Sequence, residues 1–150
     1  MYKKVKERLT LFMEEWKKKD WIQMYIYTQK SWQMNHPQLV TELPPCQQYL
    51  DGINVLDYKI GSAHKSHDFA KIFKIPDKLI CIDVDVEIDY AMMDREEKYL
   101  GKIFKREGKI RMVCEADAYN LSESGTWGVN VISVLKKMKQ KEVIDEAAND

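Results

Sequence analysis

The sequence has few of the residues that mark disulfide-rich scaffolds, metal knuckles or flexible linkers. Its 150 residues include six glycines, four prolines, three cysteines and three histidines. Cys46, Cys81 and Cys114 are too few and too widely spaced for a disulfide framework or a paired-cysteine zinc site. We therefore expect reduced core thiols in a cytoplasmic protein. The sequence predicts no cofactor and no metal site.

Neither an excess of one charge nor a long apolar run is present. The 24 Lys and Arg residues balance 24 Asp and Glu residues, whereas nucleic-acid binders usually carry a basic excess that neutralises phosphates. No apolar run approaches the roughly 20 residues that span a membrane, and the N-terminal MYKKVKERL lacks the apolar core of a signal peptide. We expect no nucleic-acid partner and no membrane segment in this chain.

Catalytic signatures are also missing. The sequence has no GxSxG, no HExxH, no phosphate-binding loop and no dinucleotide fingerprint. His64 and His67 could share a metal ion only if SAHKSHD were helical, and we expect a surface loop there. His36 stands beside Pro37 at a predicted helix end, where we expect it to cap the helix or face water. No motif supports a catalytic role.

The first third of the chain has the hydrophobic period of helices. Apolar residues recur every three or four positions from Val5 to Trp16, which predicts a first helix over about Tyr2–Lys18. Asp20 begins a capping-box pattern that opens a second helix, and Asn35-His36-Pro37 ends it. The segment TELPPCQQYLDG predicts a short third helix, with prolines in its first turn and Gly52 at its exit.

After Gly52 the hydrophobic period changes from 3.6 to 2, which predicts β-strands. The predicted strands are Leu56–Ile60, Phe69–Ile75 (short, or a sheet edge), Ile80–Tyr90, Lys98–Arg106, Lys109–Tyr119 and Trp127–Leu135. Glu107-Gly108 is predicted as a compact hairpin turn. Residues 136–150 are expected to form a short helix or a frayed tail.

Helices followed by strands predict an α+β protein, and we expect residues 1–150 to form a single domain. About three N-terminal helices would pack on a largely antiparallel sheet of about five strands. The segments FMEEWKKKDWIQMYIYTQKSW, VLDYKIGS and GTWGVNVISVLKK together resemble the nuclear transport factor 2-like (cystatin-like) superfamily, which includes SnoaL- and ketosteroid-isomerase-like proteins. The resemblance implies a curved sheet that encloses a conical pocket with the helices.

The stretch ICIDVDVEIDY places an acid at every second position of the clearest strand. These acids are Asp83, Asp85, Glu87 and Asp89. Side chains alternate between the faces of a strand, and same-face neighbours lie ~6.8 Å apart, too far for one cation to bind all four acids. We therefore expect a solvated, charge-paired face rather than a metal site. The expected basic partners are Arg111, Lys98, Lys102 and Arg106.

Aromatic residues are the predicted lining of the conical pocket. They are Trp16, Trp21, Tyr25, Trp32, Tyr58 and Trp127. Two interpretations stay open: the aromatic side chains fill the core, or they form the walls of a site for a small apolar ligand. Enzymes that resemble this fold place an acid or a His–Asp pair in the pocket. Asp57 is a weak candidate for that acid, since strand alternation turns it away from Tyr58.

Three hypotheses about function follow. The first is a non-enzymatic, nuclear transport factor 2-like module that binds a protein partner and forms a homodimer. Sheets of this superfamily frequently pair through their outer faces, and the acidic row would then need a basic row opposite it. The second is a small-molecule isomerase or dehydratase that uses Asp57 or a pocket tyrosine. The third is an assembly or transfer-machinery subunit of a phage or mobile element.

Overall fold

The computed structural model describes residues 2–66, 79–93, 99–115 and 127–145. Helices come first and an antiparallel sheet of five strands follows, so the predicted α+β class is confirmed. The elements are, in order, α1 (Tyr2–Lys17), α2 (Trp21–Ile26), α3 (Lys30–Asn35), α4 (Pro45–Leu50), β1 (Ile53–Lys65), β2 (Leu79–Met93), β3 (Tyr99–Glu115), β4 (Trp127–Val129), α5 (Val131–Lys136) and β5 (Met138–Asp145).

A buried stripe on α1 holds the helical layer to the sheet. Its members are Val5, Leu9, Phe12, Met13 and Trp16, all fully buried. The spacing of three or four residues puts them on one face of the helix. Full burial of an aliphatic or aromatic side chain contributes roughly 1.5–3 kcal/mol, so this stripe is a main source of stability.

The predicted second helix is two helices in the structure. Asp20 caps α2 as expected, because its Oδ1 accepts a hydrogen bond from the backbone N–H of Gln23 at 3.1 Å. Residues 27–29 then leave the helical path and pair with β4. Gly128 permits this approach, since a Cβ atom there would lie 2.5 Å from the Cα of Gln29. The chain covers the outer edge of β4 in this way.

The sheet is open, with the strand order β1-β2-β3-β4. β5 also pairs with β3, beside residues 102–108, while β4 pairs with residues 112–114. Both short strands therefore lie along the same edge of β3, and α5 connects them. The inner face of β2 is apolar and buried under the helices, as its alternation predicts. Its buried residues include Ile82, Val84, Val86, Ile88 and Tyr90.

The hairpin turn predicted at Glu107-Gly108 is wrong. β3 is one strand of 17 residues, and β2 pairs with it on both sides of this dipeptide. Gly108 has a different purpose, because a Cβ atom there would clash with the carbonyl oxygen of Lys137. The glycine therefore permits the close approach of β5 rather than a reversal of the chain.

The predicted last strand is correct only as far as Val129. Asn130 begins α5 instead, because its Oδ1 accepts a hydrogen bond from the backbone N–H of Ser133 at 3.0 Å. The helix or frayed tail predicted after residue 135 is also wrong, since Met138–Asp145 forms β5. Residues 146–150, the predicted strand Phe69–Ile75 and the end of the predicted Lys109–Tyr119 strand lie outside the described residues.

β1 is longer and less regular than predicted. Its register against β2 shifts between Val55 and Asp57 and again between Ile60 and Ala63. The first shift is a bulge that leaves Leu56 39% exposed. Regular alternation over the predicted strand Leu56–Ile60 would put Leu56 on the same face as Tyr58, and this is wrong because one extra residue inverts the alternation. Among the described residues, no helix is long and apolar enough to cross a membrane.

Candidate functional site

The aromatic residues predicted to line a pocket lie in or against the core. Trp16 is fully buried, and its Nε1 donates a hydrogen bond to the carbonyl oxygen of Ile53 at 3.1 Å. Trp127 is 6% exposed, and its carbonyl oxygen accepts a hydrogen bond from Arg8 Nε at 3.1 Å. Trp21 is partly buried against the same core. The core-filling interpretation describes these three tryptophans, and their role in a ligand pocket stays a prediction.

Tyr58 connects the sheet to α1. Its hydroxyl donates a short hydrogen bond to Glu14 Oε1. Burial, followed by this bond and the negative charges of Glu14 and Asp57, raises the pKa of Tyr58 to about 12. The phenol therefore keeps its proton at neutral pH.

Asp57, the weak catalytic candidate, is exposed on the opposite face of β1. It pairs in register with Asp89, and its Oδ1 accepts a hydrogen bond from the backbone N–H of Tyr58 at 2.9 Å. The structure thus separates Asp57 from the predicted aromatic lining, in line with the strand alternation.

Four rings form a cluster between α2, α3 and α4. The ring of Trp32 stacks on His36 with centroids 4.7 Å apart, and it also meets Tyr49 at 5.6 Å and Tyr25 at 6.1 Å. His36 terminates α3, as predicted, and its Nδ1 lies 3.0 Å from the carbonyl oxygen of Trp32. A carbonyl oxygen only accepts, so Nδ1 carries a proton, and Nε2 lies 3.0 Å from the Tyr49 hydroxyl.

Tyr25 and Gln33 tie α2 to α3 beside this aromatic cluster. The hydroxyl of Tyr25 lies 2.9 Å from the carbonyl oxygens of Gln33 and His36. The Gln33 side-chain amide donates in return to the carbonyl oxygen of Tyr25 at 2.7 Å. Burial raises the pKa of Tyr25, and a backbone hydrogen bond from Gln38 offsets part of that rise. Tyr25 and Trp32 are neighbours in this cluster, and the polar groups of Tyr25 have partners within the chain, so their role in a ligand pocket stays a prediction.

We call the outer side of β1, β2 and β3, which carries the acidic row, the charged face. Its most buried part is Asp83, which is 5% exposed and meets Arg111 Nε at 3.1 Å and Lys137 Nζ at 3.4 Å. Arg111, itself 7% exposed, also donates to Ser66 Oγ at 2.8 Å. The predicted pairing of Arg111 with the acidic row is confirmed, but the predicted exposure of Asp83 is wrong because Arg111 and Lys137 both pack against its carboxylate.

The other acids of the row are partly exposed and also have basic neighbours. Asp85 Oδ2 meets His64 Nε2 at 2.8 Å, and Lys105 Nζ lies 3.9 Å from Glu87 and 3.8 Å from Asp89. His64 belongs to β1 rather than to the predicted loop. His67 lies outside the described residues, so the proposed histidine pair is not tested.

Arg106 does not pair with the acidic row as predicted. It lies over the Tyr90 ring, with its guanidinium carbon 5.5 Å from the centroid, and donates to the Tyr90 hydroxyl at 3.2 Å. The reason is strand alternation, since Arg106 pairs with Ile88 on the inner side while Lys105 pairs with Asp89 on the outer side. Lys98 and the side chain of Lys102 lie outside the described part of the chain.

A groove of about 620 Å³ crosses the middle of β1, β2 and β3. Gly61 and Gly108 line the groove on β1 and β3. Its charged lining residues are Lys59, Asp85, Glu87, Glu107 and Lys109. Within the described ranges, no three His, Cys, Asp or Glu side chains are grouped so that they could hold a metal ion.

The helical layer exposes apolar side chains that the sequence analysis missed. We call them the apolar helical surface: Ile22, Ile26, Met34, Leu39, Val40 and Leu43. All six are at least 47% exposed, and Val40 is fully exposed. Ile22 and Ile26 are four residues apart on α2, so they share a face away from buried Met24. The sequence did contain a signal for this exposure, because Ile22 and Ile26 do not fall on the helix face that carries buried Met24.

The three cysteines form no disulfide. Cys46 and Cys81 are buried and Cys114 is partly buried, so the expected core location holds for the first two. Burial raises the pKa of the Cys46 thiol to about 12, which keeps it protonated and unreactive. Cys46 therefore supplies no thiolate nucleophile at neutral pH.

Comparisons with protein-family models, curated proteins and solved structures found no match to this chain.

Proposed function

We propose that the chain is a non-enzymatic, nuclear transport factor 2-like interaction module that forms a homodimer through its apolar helical surface. The observation that carries the proposal is the exposure of six large apolar side chains within residues 22–43. Soluble monomers expose scattered apolar residues, but a concentration of them is typical of protein contact surfaces. The layout of helices packed on an antiparallel sheet is compatible with the superfamily.

The parts that carry these side chains pack against one another. α2 contacts α4, and the Tyr25 hydroxyl of α2 binds carbonyl oxygens at the end of α3. The Gln48 side chain of α4 donates to the carbonyl oxygen of Leu43 at 2.8 Å. These contacts hold the segment between α3 and α4 beside α2, the helix on which Ile22 and Ile26 are exposed.

A second copy of the chain is the partner that fits this surface. In a two-fold dimer the same patch meets itself, and apolar side chains need no complementary charge to do so. Burial gains roughly 25 cal/mol for each Å² of apolar area removed from water. The exposed Leu11 on α1 and Tyr49 on α4 add apolar area to the same layer.

The charged face is a weaker candidate for the dimer contact. It does contain the basic residues that the acidic row would need in a partner, but Arg111 and Lys105 already pair with acids of their own chain. Exposed ion pairs contribute about 0–1 kcal/mol, and burial of charges against a second copy would add a desolvation cost. Among the described residues, no specific feature favours the isomerase or the assembly-subunit hypothesis over the interaction module.

Sedimentation equilibrium over a range of protein concentrations tests the proposal. The natural sequence should show a reversible monomer–dimer equilibrium, and Ile22→Ser combined with Ile26→Ser should be monomeric. Leu56→Ser is the matched control, because Leu56 is an exposed apolar residue on β1, away from the helical layer. A natural sequence that stays monomeric at all concentrations, or a control that weakens the dimer as much, would contradict the proposal.

A further inference from the structure

The sheet has an open edge along β1. Among the described residues, β2 is the only strand that pairs with β1, whereas β4, at the far end of the strand order, is bordered by residues 27–29. An edge strand presents backbone N–H and C=O groups to which another extended chain can add. β1 is therefore a place where the sheet can accept a partner strand.

The backbone of Tyr58 faces this open edge. Its N–H donates to the carboxylate of the preceding residue, Asp57, at 2.9 Å and so points away from β2. In an antiparallel pair, every second residue turns its N–H and C=O groups to the same side of the strand. Pairing with β2 is regular over residues 57–60, so the backbone of Ile60 faces the open edge as well.

Two exposed charged side chains on this stretch have no ion-pair partner among the described residues. Asp57 lies directly opposite another acid, Asp89, and like charges at such positions are destabilising. Lys59 lies opposite Glu87, but the ammonium within 4 Å of Glu87 and of Asp89 belongs to Lys105. Asp57 and Lys59 are on the same face of β1. The edge therefore presents an acid and a base, two residues apart, that the sheet itself does not neutralise.

We infer that this edge of β1 binds an extended segment of a partner protein in the antiparallel direction, with an acid opposite Lys59 and a base opposite Asp57. The segment then has the order acid–apolar–base along its chain, and its central residue exchanges backbone hydrogen bonds with Tyr58. The charged pairs fall between hydrogen-bonded pairs, where opposing side chains are closest. The Asp57 carboxylate releases the Tyr58 N–H and pairs with the base. An apolar central residue is favoured because it lies beside half-buried Tyr58.

A flexible segment fits this edge better than a second copy of the chain. The register of β1 shifts on both sides of residues 57–60, between Val55 and Asp57 and between Ile60 and Ala63. Two copies of β1 would each bring these shifts to the same short pairing, and such irregularities interrupt a ladder of hydrogen bonds. A peptide has no shifts of its own. The inference is also independent of the proposed dimer, because no residue of the apolar helical surface belongs to β1.

Fluorescence anisotropy with two labelled peptides tests the inference. The peptide TVDVKVT has the proposed order of charges, and TVKVDVT reverses it. The natural sequence should bind TVDVKVT about tenfold more tightly, because the reversed peptide places like charges opposite both Asp57 and Lys59. The double variant Asp57→Lys/Lys59→Asp should prefer TVKVDVT by a similar factor. Lys139→Asp, a control at an exposed site on β5, should keep the preference of the natural sequence.

Methylation of the central peptide nitrogen of TVDVKVT should abolish binding, because that N–H donates to the carbonyl oxygen of Tyr58. Equal affinity of the two peptides for the natural sequence would overturn the inference, and so would undiminished binding of the methylated peptide. Ile22→Ser/Ile26→Ser protein should bind TVDVKVT as the natural sequence does, which separates this test from that of the dimer. A dimer that Asp57→Lys abolishes and Ile22→Ser/Ile26→Ser leaves intact would place a second copy on this edge instead.

Discussion

The charged face and the apolar helical surface show opposite ways of meeting solvent. On the charged face, each acid of the β2 row has a basic side chain within 4 Å. On the apolar helical surface, six large side chains face water without a described contact that buries them. The acids of the β2 row therefore have basic partners within the chain, whereas the isoleucines and leucines of the apolar helical surface have no described contact that buries them. Binding is best sought where the chain leaves its own groups without partners.

Of the substitutions on the charged face, loss of Arg111 should lower the free energy of unfolding most. Arg111→Met leaves Asp83 as a buried carboxylate with Lys137 as its remaining basic neighbour among the described residues, and removal of one partner from a buried pair costs about 3–5 kcal/mol. Urea unfolding would measure the loss of free energy of unfolding. The double variant Asp83→Asn/Arg111→Met should recover part of it, since the unpaired charge is gone. A loss below about 1 kcal/mol in the single variant would mean that the pair behaves as an exposed one.

Loss of the Tyr58 hydroxyl should have a smaller effect, at the junction between the sheet and the helices. Tyr58→Phe removes the hydrogen bond to Glu14 and should cost about 1 kcal/mol near neutral pH.

The contribution of Tyr58 to the free energy of unfolding should decrease at alkaline pH. Folding raises the pKa of Tyr58 from 10 to about 12, so the folded state holds the proton more tightly and the stabilisation is complete below pH 10. It should be lost as the pH rises from 10 to 12. The difference in free energy of unfolding between the natural sequence and Tyr58→Phe, measured across this range, checks the sign. A difference that grows with pH would contradict it.

Lys105 should matter less than Arg111, although each meets the acidic row. Its Nζ is 3.8–3.9 Å from two partly exposed carboxylates, and such pairs contribute about 0.2–1 kcal/mol. Lys105→Ala should therefore lower the free energy of unfolding by less than 1 kcal/mol, and added salt should reduce the difference further. A loss as large as that of Arg111→Met would remove the distinction between the buried and exposed parts of the charged face.

Polar substitutions on the apolar helical surface should change folding least. Ile22→Ser and Ile26→Ser alter exposed positions, so the free energy of unfolding of the monomer should change by no more than about 0.5 kcal/mol for each substitution. Unfolding measured at concentrations below dimerisation checks this value. A large loss of stability would mean that these side chains support the fold rather than serve as a contact surface.

The hydrophobic period and the capping residues of the sequence predicted those parts of the fold that depend on interactions between residues close together in the chain. The α1 stripe, the Asp20 cap and the alternation of Ile and Val with acids in β2 are confirmed for this reason. One error arises where a distant segment decides: Gly108 was predicted as a turn because its neighbours in sequence do not indicate the approach of β5. The error at Val131–Leu135 is local, since its apolar residues resemble a strand but Asn130 caps a helix there.

The candidate site was less predictable than the fold. Arg111 was correctly paired with the acidic row because both lie on strands with regular alternation. The bulge at Leu56 and the break between α2 and α3 depend on pairing with β2 and β4, which the sequence does not display. Exposure of Leu39, Val40 and Leu43 depends on how the segment between α3 and α4 packs, and no periodic pattern reports it.

Hydroxyl-radical footprinting at low and high protein concentration tests the central claim most directly. Met34, 82% exposed and readily oxidised, is a natural probe of the apolar helical surface, and Leu56 probes β1. We expect oxidation of Met34, Leu39 and Val40 to fall as the concentration rises through the dimerisation range, with Leu56 unchanged. Protection of Leu56 and the charged face, with Met34 oxidised equally at both concentrations, would contradict the account.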